Sequence, residues 1–418
     1  MSKIKHKPTN ILYVIHGYPP RQHAGTENYS YSLAKEIANN EFRVGSFYPV
    51  YHPKITDVTL DIKQIENHTA FEAKINTIDT LNNIFNDEME KLFQKAINKF
   101  NPDIIHFQHI HTLLPFSLIT QSISQRIPTC ITLHDFWYIC PKTYMLNDDG
   151  SLCCGPTSAE KCTECYLTSE SKELKDDSKI FFYISELFKK RLEISRLIFS
   201  KANLTSSPSK FVLDQYKQYV SFRQDLKIPL GLDTSIINQK RDSFDFVRFG
   251  FLGNIAPLKN THGLIQSFIN TAGSAELHIY GKPRNDFFFN ELKQMASKDH
   301  RIIFHGPYTP NKLDTILSQI DVGIVPSFFE NYPLVAREFL SAGIPVIASR
   351  VGGLPEIVTH NINGLLFNPL NNHELTHIIQ DLIDNPYKIQ NLAKKIPKTK
   401  SIKQDALVWG DIYKSLYI

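Results

Sequence analysis

The sequence predicts an α/β protein of two doubly wound domains, each a parallel sheet flanked by helices. Three observations predict it. The 418 residues are too many for one ordinary core and suit two domains of roughly 200 residues each. Short apolar runs alternate with segments of helical periodicity, once in each half of the chain. Between the halves, the stretch from Thr234 to Asp245 turns polar. The predicted domains are therefore residues 1–233 and 234–400, with a closing helix at 401–418 that packs back on one of them.

In the first half, Ile11-Leu-Tyr-Val-Ile15 reads as a buried parallel strand that ends in a Gly/Pro-rich turn. Tyr29, Leu33, Ala34 and Ile37 then recur at helical spacing, which predicts an amphipathic helix over about Glu27 to Asn39. The alternation returns at Asp103-Ile-Ile-His-Phe107, followed by a polar loop with His109 and His111, and at Pro128-Thr-Cys-Ile-Thr-Leu133, which ends on His134-Asp135. Ligands of such sheets sit beyond the carboxyl ends of the strands. His109, His111 and His134 fall at that edge.

The second half repeats the pattern with five strands, Phe246–Leu252, Leu277–Tyr280, Ile302–Phe304, Val322–Val325 and Pro345–Ala348. At the end of the chain, Ala406, Trp409, Ile412 and Leu416 share one helical face.

Composition narrows the class. An apolar fraction of 42% and a charged fraction of 21% are those of a globular chain. The formal charge of +4 lacks the concentrated stripe of a dedicated nucleic-acid binder and leaves room only for weak attraction to an anionic membrane or a phosphorylated substrate. Residues 1–10 are polar and basic, and the apolar run behind them has five residues. That predicts neither a signal peptide nor a membrane span. The expected location is cytoplasmic, with peripheral association at the inner membrane face, and there clustered cysteines need an explanation other than disulfides.

The richest stretch is Pro326-Ser-Phe-Phe-Glu330-Asn-Tyr-Pro333-Leu-Val-Ala-Arg-Glu338. It leaves a strand and enters a helix with Pro333 suited to the first turn. Backbone N–H groups at such a helix start can hold a phosphate. A carboxylate beside that phosphate can accept two hydrogen bonds from a vicinal diol, as on a ribose or hexose. The plain alternative makes Glu330 a loop charge and Glu338 a surface residue.

These residues resemble the retaining glycosyltransferases of the GT-B fold, the large family 4-like group that includes mannosyltransferases. That family carries two Glu separated by seven residues, then Gly-x-Pro-Val and a Gly-Gly-x-x-Glu turn. Here stand Glu330, Glu338, Ala342-Gly-Ile-Pro-Val346 and Val351-Gly-Gly-Leu-Pro-Glu356, with the match running on to Asn363-Gly-Leu-Leu-Phe367. The resemblance implies two Rossmann-like domains facing across a cleft, and transfer from a nucleoside-diphosphate sugar to a glycan, lipid-linked or other cell-envelope acceptor.

By that resemblance Glu338 holds the donor ribose, and Glu330 holds hydroxyls of the transferred sugar. The backbone around Asn331, Tyr332, Leu334 and Val335 binds the diphosphate. Gly253-Asn-Ile-Ala-Pro-Leu-Lys259 looks like the second phosphate element, in which Lys259 neutralises the leaving group. Asn254 stands where many members have Arg, and Asn260 where Gly usually follows the Lys. Gly17-Tyr-Pro-Pro and Ala24-Gly25-Thr-Glu27 resemble the loop that reaches the donor phosphates and the acceptor, which makes Gly25 a donor-binding residue. His134 resembles the histidine near the anomeric carbon. The implied catalytic residues are His134, Glu330 and Lys259. No Asp-x-Asp motif appears, so no cofactor is expected for catalysis.

Cys140, Cys153, Cys154, Cys162 and Cys165 fall within 26 residues, and Cys162-x-x-Cys165 has zinc-ligand spacing. A structural zinc held by Cys140, Cys162, Cys165 and either Cys153 or Cys154 would staple the 140–165 loop. An iron–sulfur cluster or free thiols also fit these residues. Two other functions fit the same donor site: a nucleotide-sugar hydrolase or epimerase, and a non-catalytic nucleotide-sugar-binding partner.

Overall fold

The structure, a computed structural model, describes residues 8–39, 41–77, 84–147, 151–170, 178–232 and 246–417. Two compact units emerge, Met1–Gly231 together with Lys400–Ile418, and Leu232–Thr399. The polar stretch from Thr234 to Asp245 lies outside the described residues.

In the first unit, β1 (Thr9–Ile15), β2 (Phe42–Tyr51), β3 (Thr59–Ile65), β4 (His68–Ile75), β5 (Ile104–His109), β6 (Thr129–Thr132), β7 (Leu204–Ser207) and β8 (Asp225–Lys227) form one sheet. Their order is β3-β4-β2-β1-β5-β6-β7-β8, parallel except for the β3–β4 hairpin. The central strands are unbroken apolar runs because both faces are covered; Ile11 to Ile15 are fully buried. Strands β2 to β4 go beyond the predicted elements. The sequence signal of β3 is weak because this edge strand, Thr-Leu-Asp-Ile-Lys-Gln-Ile, keeps much of its surface in water.

The predicted helix forms as Gly25–Ala38, with Tyr29, Leu33, Ala34 and Ile37 inward. The closing helix Ile402–Tyr417 packs on it and on β5. Buried polar bonds fix that helix to the first unit. Asp405, fully buried, accepts from Tyr29 Oη at 2.9 Å and from the N–H of Gly231 at 2.7 Å. Tyr413 Oη lies 2.6 Å from His106 Nδ1.

The second unit holds six parallel strands, β9 (Val247–Leu252), β10 (Ala275–Tyr280), β11 (Ile302–Gly306), β12 (Val322–Val325), β13 (Val346–Ser349) and β14 (Gly364–Phe367), in the order β11-β10-β9-β12-β13-β14. The sixth, β14, comes from the Asn363-Gly-Leu-Leu-Phe367 motif, and its four residues are too few to show a period. No helix among the described residues is long and apolar enough to cross a membrane.

Both sheets share one topological feature. In each, the first strand sends its connection toward one edge while its other neighbour sends the chain toward the opposite edge, β1 beside β5 and β9 beside β12. Such a reversal opens a crevice at the carboxyl ends of the two strands.

Candidate functional site

In the second unit the crevice lies between the loop after β9 and the loop after β12. The first loop winds through a short 3-10 turn at Pro257–Lys259 and stops at Asn260, which takes a left-handed conformation with φ 50°. Asn tolerates that conformation nearly as Gly does. Its side chain also accepts from the N–H of Gly263 at 3.2 Å and so caps the helix Thr261–Ile269. The replacement of Gly thus preserves the backbone path and adds a cap.

That turn delivers Lys259 to the second loop. Lys259 Nζ lies 2.6 Å from Glu330 Oε1, and the Ser327 hydroxyl donates to the same oxygen at 2.7 Å. Glu330 Oε2 accepts no bond from a described residue. The Gly-Gly turn fixes this loop from below. The N–H of Gly353 donates to Glu330 O at 2.9 Å, and Gly352, at φ 54°, passes so close that an added Cβ would lie 1.9 Å from that oxygen.

The helix after β12 runs Leu334–Ser341 with Pro333 as its N-cap, one position earlier than the predicted first-turn site, and no side chain caps its N–H groups. The backbone N–H groups of Leu334 and Val335 therefore remain at the helix start. Asn331 Oδ1 is buried without a hydrogen-bond donor among the described residues. Tyr332 carries the Arg337 guanidinium over its ring, 5.4 Å from the centroid.

Glu338 sits one turn into this helix. Burial pushes its carboxyl up to about 7, against the pull of the neighbouring Arg337. No hydrogen bond or ion pair from a described residue reaches it. Tyr308 lies near enough for the Glu338 charge to add to the burial that raises its phenol. Asn254 is exposed on the β9 loop beside Gly253, whose φ of 144° leaves open space where a Cβ would stand.

In the first unit the crevice carries different groups. Strand β5 extends to His109, two residues past the predicted end, and the N–H of His16 donates to His109 O at 2.8 Å. Side chains continue the connection. Glu27 Oε1 lies 3.2 Å from His16 Nε2, His16 Nδ1 lies 3.1 Å from His109 Nδ1, and His109 Nε2 lies 3.0 Å from Asp135 Oδ2. With both acids ionised, this chain is complete when three protons are shared among the four ring nitrogens. Burial alone would raise both carboxyls. For Asp135 the His109 charge and hydrogen bond and the Trp137 N–H outweigh it and hold the group at about 2; for Glu27 His16 outweighs it and lowers the group.

His134 adjoins this chain, 6.0 Å from the His109 ring and 6.1 Å from Tyr29. Burial, with the His109 charge, holds it down at about 3, so it is neutral, and its Nε2 is buried without a partner among the described residues. His111 stands edge-on to Trp137 at 4.7 Å and is held at about 4, chiefly by burial. Gly25 is exposed at the start of the helix that carries Glu27. The sequence reading singled out His134, His109 and His111 but missed the role of His16 and Glu27 as their partners. The available signal was a histidine directly after β1 and an acid in the first turn of the next helix.

Comparison with known proteins gives the class. Residues 23–235 match the model described as Glycosyltransferase Family 4, and residues 236–399 the model described as Glycosyl transferases group 1. The chain belongs to glycosyltransferase family 4 and has the GT-B fold.

Among curated proteins it is 28% identical over 170 residues to an uncharacterized glycosyltransferase of Methanocaldococcus jannaschii, covering 39% of this chain and 44% of that protein. It is 30% identical over 159 residues to D-inositol 3-phosphate glycosyltransferase of Rhodococcus opacus, covering 35% of each. The chain thus spans less than half the length of these relatives. Among solved structures, a sucrose-phosphate synthase from Thermosynechococcus elongatus superposes with a TM-score of 0.69 at 18% identity, covering 98% of this chain and 99% of that one. Anabaena HepE, in complex with UDP and glucose, superposes with a TM-score of 0.69 at 16% identity, covering 97% and 100%.

Proposed function

We propose that the chain is a retaining glycosyltransferase that moves a sugar from a nucleoside-diphosphate sugar to a glycan, lipid-linked or other cell-envelope acceptor. The observation that carries this reading is Glu338. A carboxylate raised to about 7 by its surroundings, with no donor from a described residue, stands one turn behind uncapped helix N–H groups. A ribose diol supplies the missing donors, and the diphosphate attached to it takes the N–H groups at the helix start.

The other residues follow from that placement. Lys259 neutralises the leaving phosphate. In the structure it is held by Glu330, so donor binding exchanges part of that ion pair for contacts to phosphate and sugar. Glu330 keeps Oε2 available for sugar hydroxyls. Gly253 and Gly25 let backbone approach the phosphates without a side chain between, the exposed Asn254 offers its amide N–H groups there, and Asn331 and Tyr332 border the diphosphate. His134, neutral and with Nε2 unpartnered among the described residues, contacts the transferred sugar. Charge stabilisation from Lys259 and the helix N–H groups suffices without a divalent ion.

A uridine nucleotide is the first donor to try, because Anabaena HepE was solved with UDP and with UDP-glucose. A thermal-shift series with UDP, GDP, ADP and UDP-glucose, on wild type and Glu338→Ala, tests the donor site. Stabilisation by at least one nucleotide, lost in the variant, is expected; stabilisation by none sinks the reading. Retention is tested by the anomeric configuration of the product in proton NMR. An inverted product would end that part of the proposal while leaving the donor site intact.

A further inference from the structure

The five thiols of the cysteine loop form no disulfide. Four of them, Cys140, Cys153, Cys162 and Cys165, line one cavity of about 40 Å³ together with Ile139 and Met145. Cys154 does not. It is exposed, and its sulfur meets the Lys161 ammonium at 3.0 Å.

The backbone around the cavity is arranged toward sulfur. The N–H of Gly155 donates to Cys153 Sγ at 3.3 Å, and the N–H groups of Lys142 and Met145 point at Cys140. Gly155 and Met145 both take left-handed conformations, φ 79° and 51°. Cys162 and Cys165 share one face of the helix Ala159–Glu170 at a spacing of one turn. Two ammonium groups face the sulfurs as well, Lys142 Nζ at 3.4 Å from Cys165 Sγ and Lys161 Nζ at 3.6 Å from Cys153 Sγ. N–H donors and cations aimed at sulfur are the outer contacts that a charged sulfur cluster needs. An ordinary core cysteine, a small hydrophobe, needs none of them.

We propose that Cys140, Cys153, Cys162 and Cys165 are the four thiolate ligands of one structural zinc ion. As the side chains stand, no three His, Cys, Asp or Glu among the described residues are close enough to share an ion. The backbone nevertheless sets all four thiols around the same cavity. Rotation between staggered χ1 wells swings a sulfur by roughly 3 Å, and bonds of about 2.3 Å to one ion would draw on that freedom. Binding releases the thiol protons to solvent. The tetrathiolate complex carries a double negative charge, and Lys142 and Lys161 face it. The metal ties the turn at Cys140, the segment at Cys153 and the helix at Cys162 into one unit.

The test is elemental analysis of the full chain, expressed in zinc-supplemented medium and purified without chelator. About one zinc per chain is expected. Cys153→Ser and Cys162→Ser should lose it, and Cys154→Ser should keep it. Wild type with zinc far below that level, or with iron and sulfide instead, overturns the assignment. So does loss in Cys154→Ser equal to that in Cys153→Ser. Because a serine variant can fail to fold, a second measurement uses the wild type alone: mercurial titration with a chromogenic chelator present. One zinc should be released in step with four thiols, and thiol titration without zinc release is equally fatal.

Discussion

The two sheets present the same crevice in the same topological place and furnish it in opposite ways. Beside β9 and β12 stand a lysine, glycines, an uncapped helix start and a carboxylate raised to about 7. Beside β1 and β5 stand four imidazoles and two depressed carboxyls, of which His16 and His109 join Glu27 to Asp135 in one bonded chain. In the first set only Lys259 and Glu330 pair with each other, while the helix start and the Glu338 carboxyl have no side-chain partner among the described residues and suit a ligand that is both anionic and rich in hydroxyls. The second is largely satisfied internally, and what it offers is the capacity to hold and share protons next to a neutral His134. Topology therefore locates a site, while side-chain chemistry decides what the site can take.

The comparison breaks most easily at Lys259. Lys259→Ala is expected to lower the rate of sugar transfer by about 10²–10³-fold, the effect of removing one electrostatic contributor at a reacting centre. Steady-state kinetics at saturating donor measure it. A loss under about tenfold would mean that the helix N–H groups alone balance the leaving phosphate.

Asp135→Asn probes the opposite crevice. It deprives His109 of its carboxylate and should cost about 1.5–3 kcal/mol of stability in denaturant unfolding, while UDP affinity stays unchanged. Because the Asp135 carboxyl is lowered to about 2 from 3.8, its contribution is present at neutral pH and lost as pH falls through that window. The acid limb of the stability profile should shrink in the variant. A concurrent fall in UDP affinity would show that the Glu27 to Asp135 chain also supports donor binding.

Gly352→Ala places a Cβ against Glu330 O at a position of positive φ. It should destabilise the second unit by about 1–3 kcal/mol and weaken UDP binding, as read by calorimetry. Destabilisation without weaker binding would remove the Glu330 loop from the donor site.

Glu338 predicts a pH dependence of the reverse sign to that of Asp135. Its carboxyl is raised from 4.5 to about 7, so the folded state binds the extra proton and stability falls as pH rises through that interval. The slope should be at most about 1.4 kcal/mol per pH unit and should vanish in Glu338→Gln. A variant with the same slope as wild type would assign it to another group. The smallest effect belongs to Asn260. Asn260→Gly should cost only a few tenths of a kcal/mol, since Gly keeps the left-handed backbone, and Asn260→Ala about 1 kcal/mol more because it loses both cap and conformation.

Much of this was legible in the chain. The buried strands Ile11–Ile15 and Val322–Val325 are apolar on both faces, and that pattern survives without any knowledge of neighbours. The Glu330 to Glu338 stretch could be placed on strand, turn and helix because its glycines, prolines and acids act locally. The hairpin β3–β4 and the short β14 were not legible, since an edge strand half in water and a strand of four residues carry almost no period.

The sequence by itself determined the fold class, the family, and the presence of Lys259, Glu330 and His134 in the loops after their strands and of Glu338 in the helix that follows. Their type and local spacing are properties of the chain. Only the tertiary structure decided that Lys259 is paired with Glu330, 71 residues away, and that Glu338 has no described partner. It also joined Glu27, His16, His109 and Asp135 into one chain and set Cys153, rather than Cys154, beside Cys140. Those are contacts between distant segments, fixed by how strands order themselves in a sheet, and a one-dimensional pattern carries no record of them.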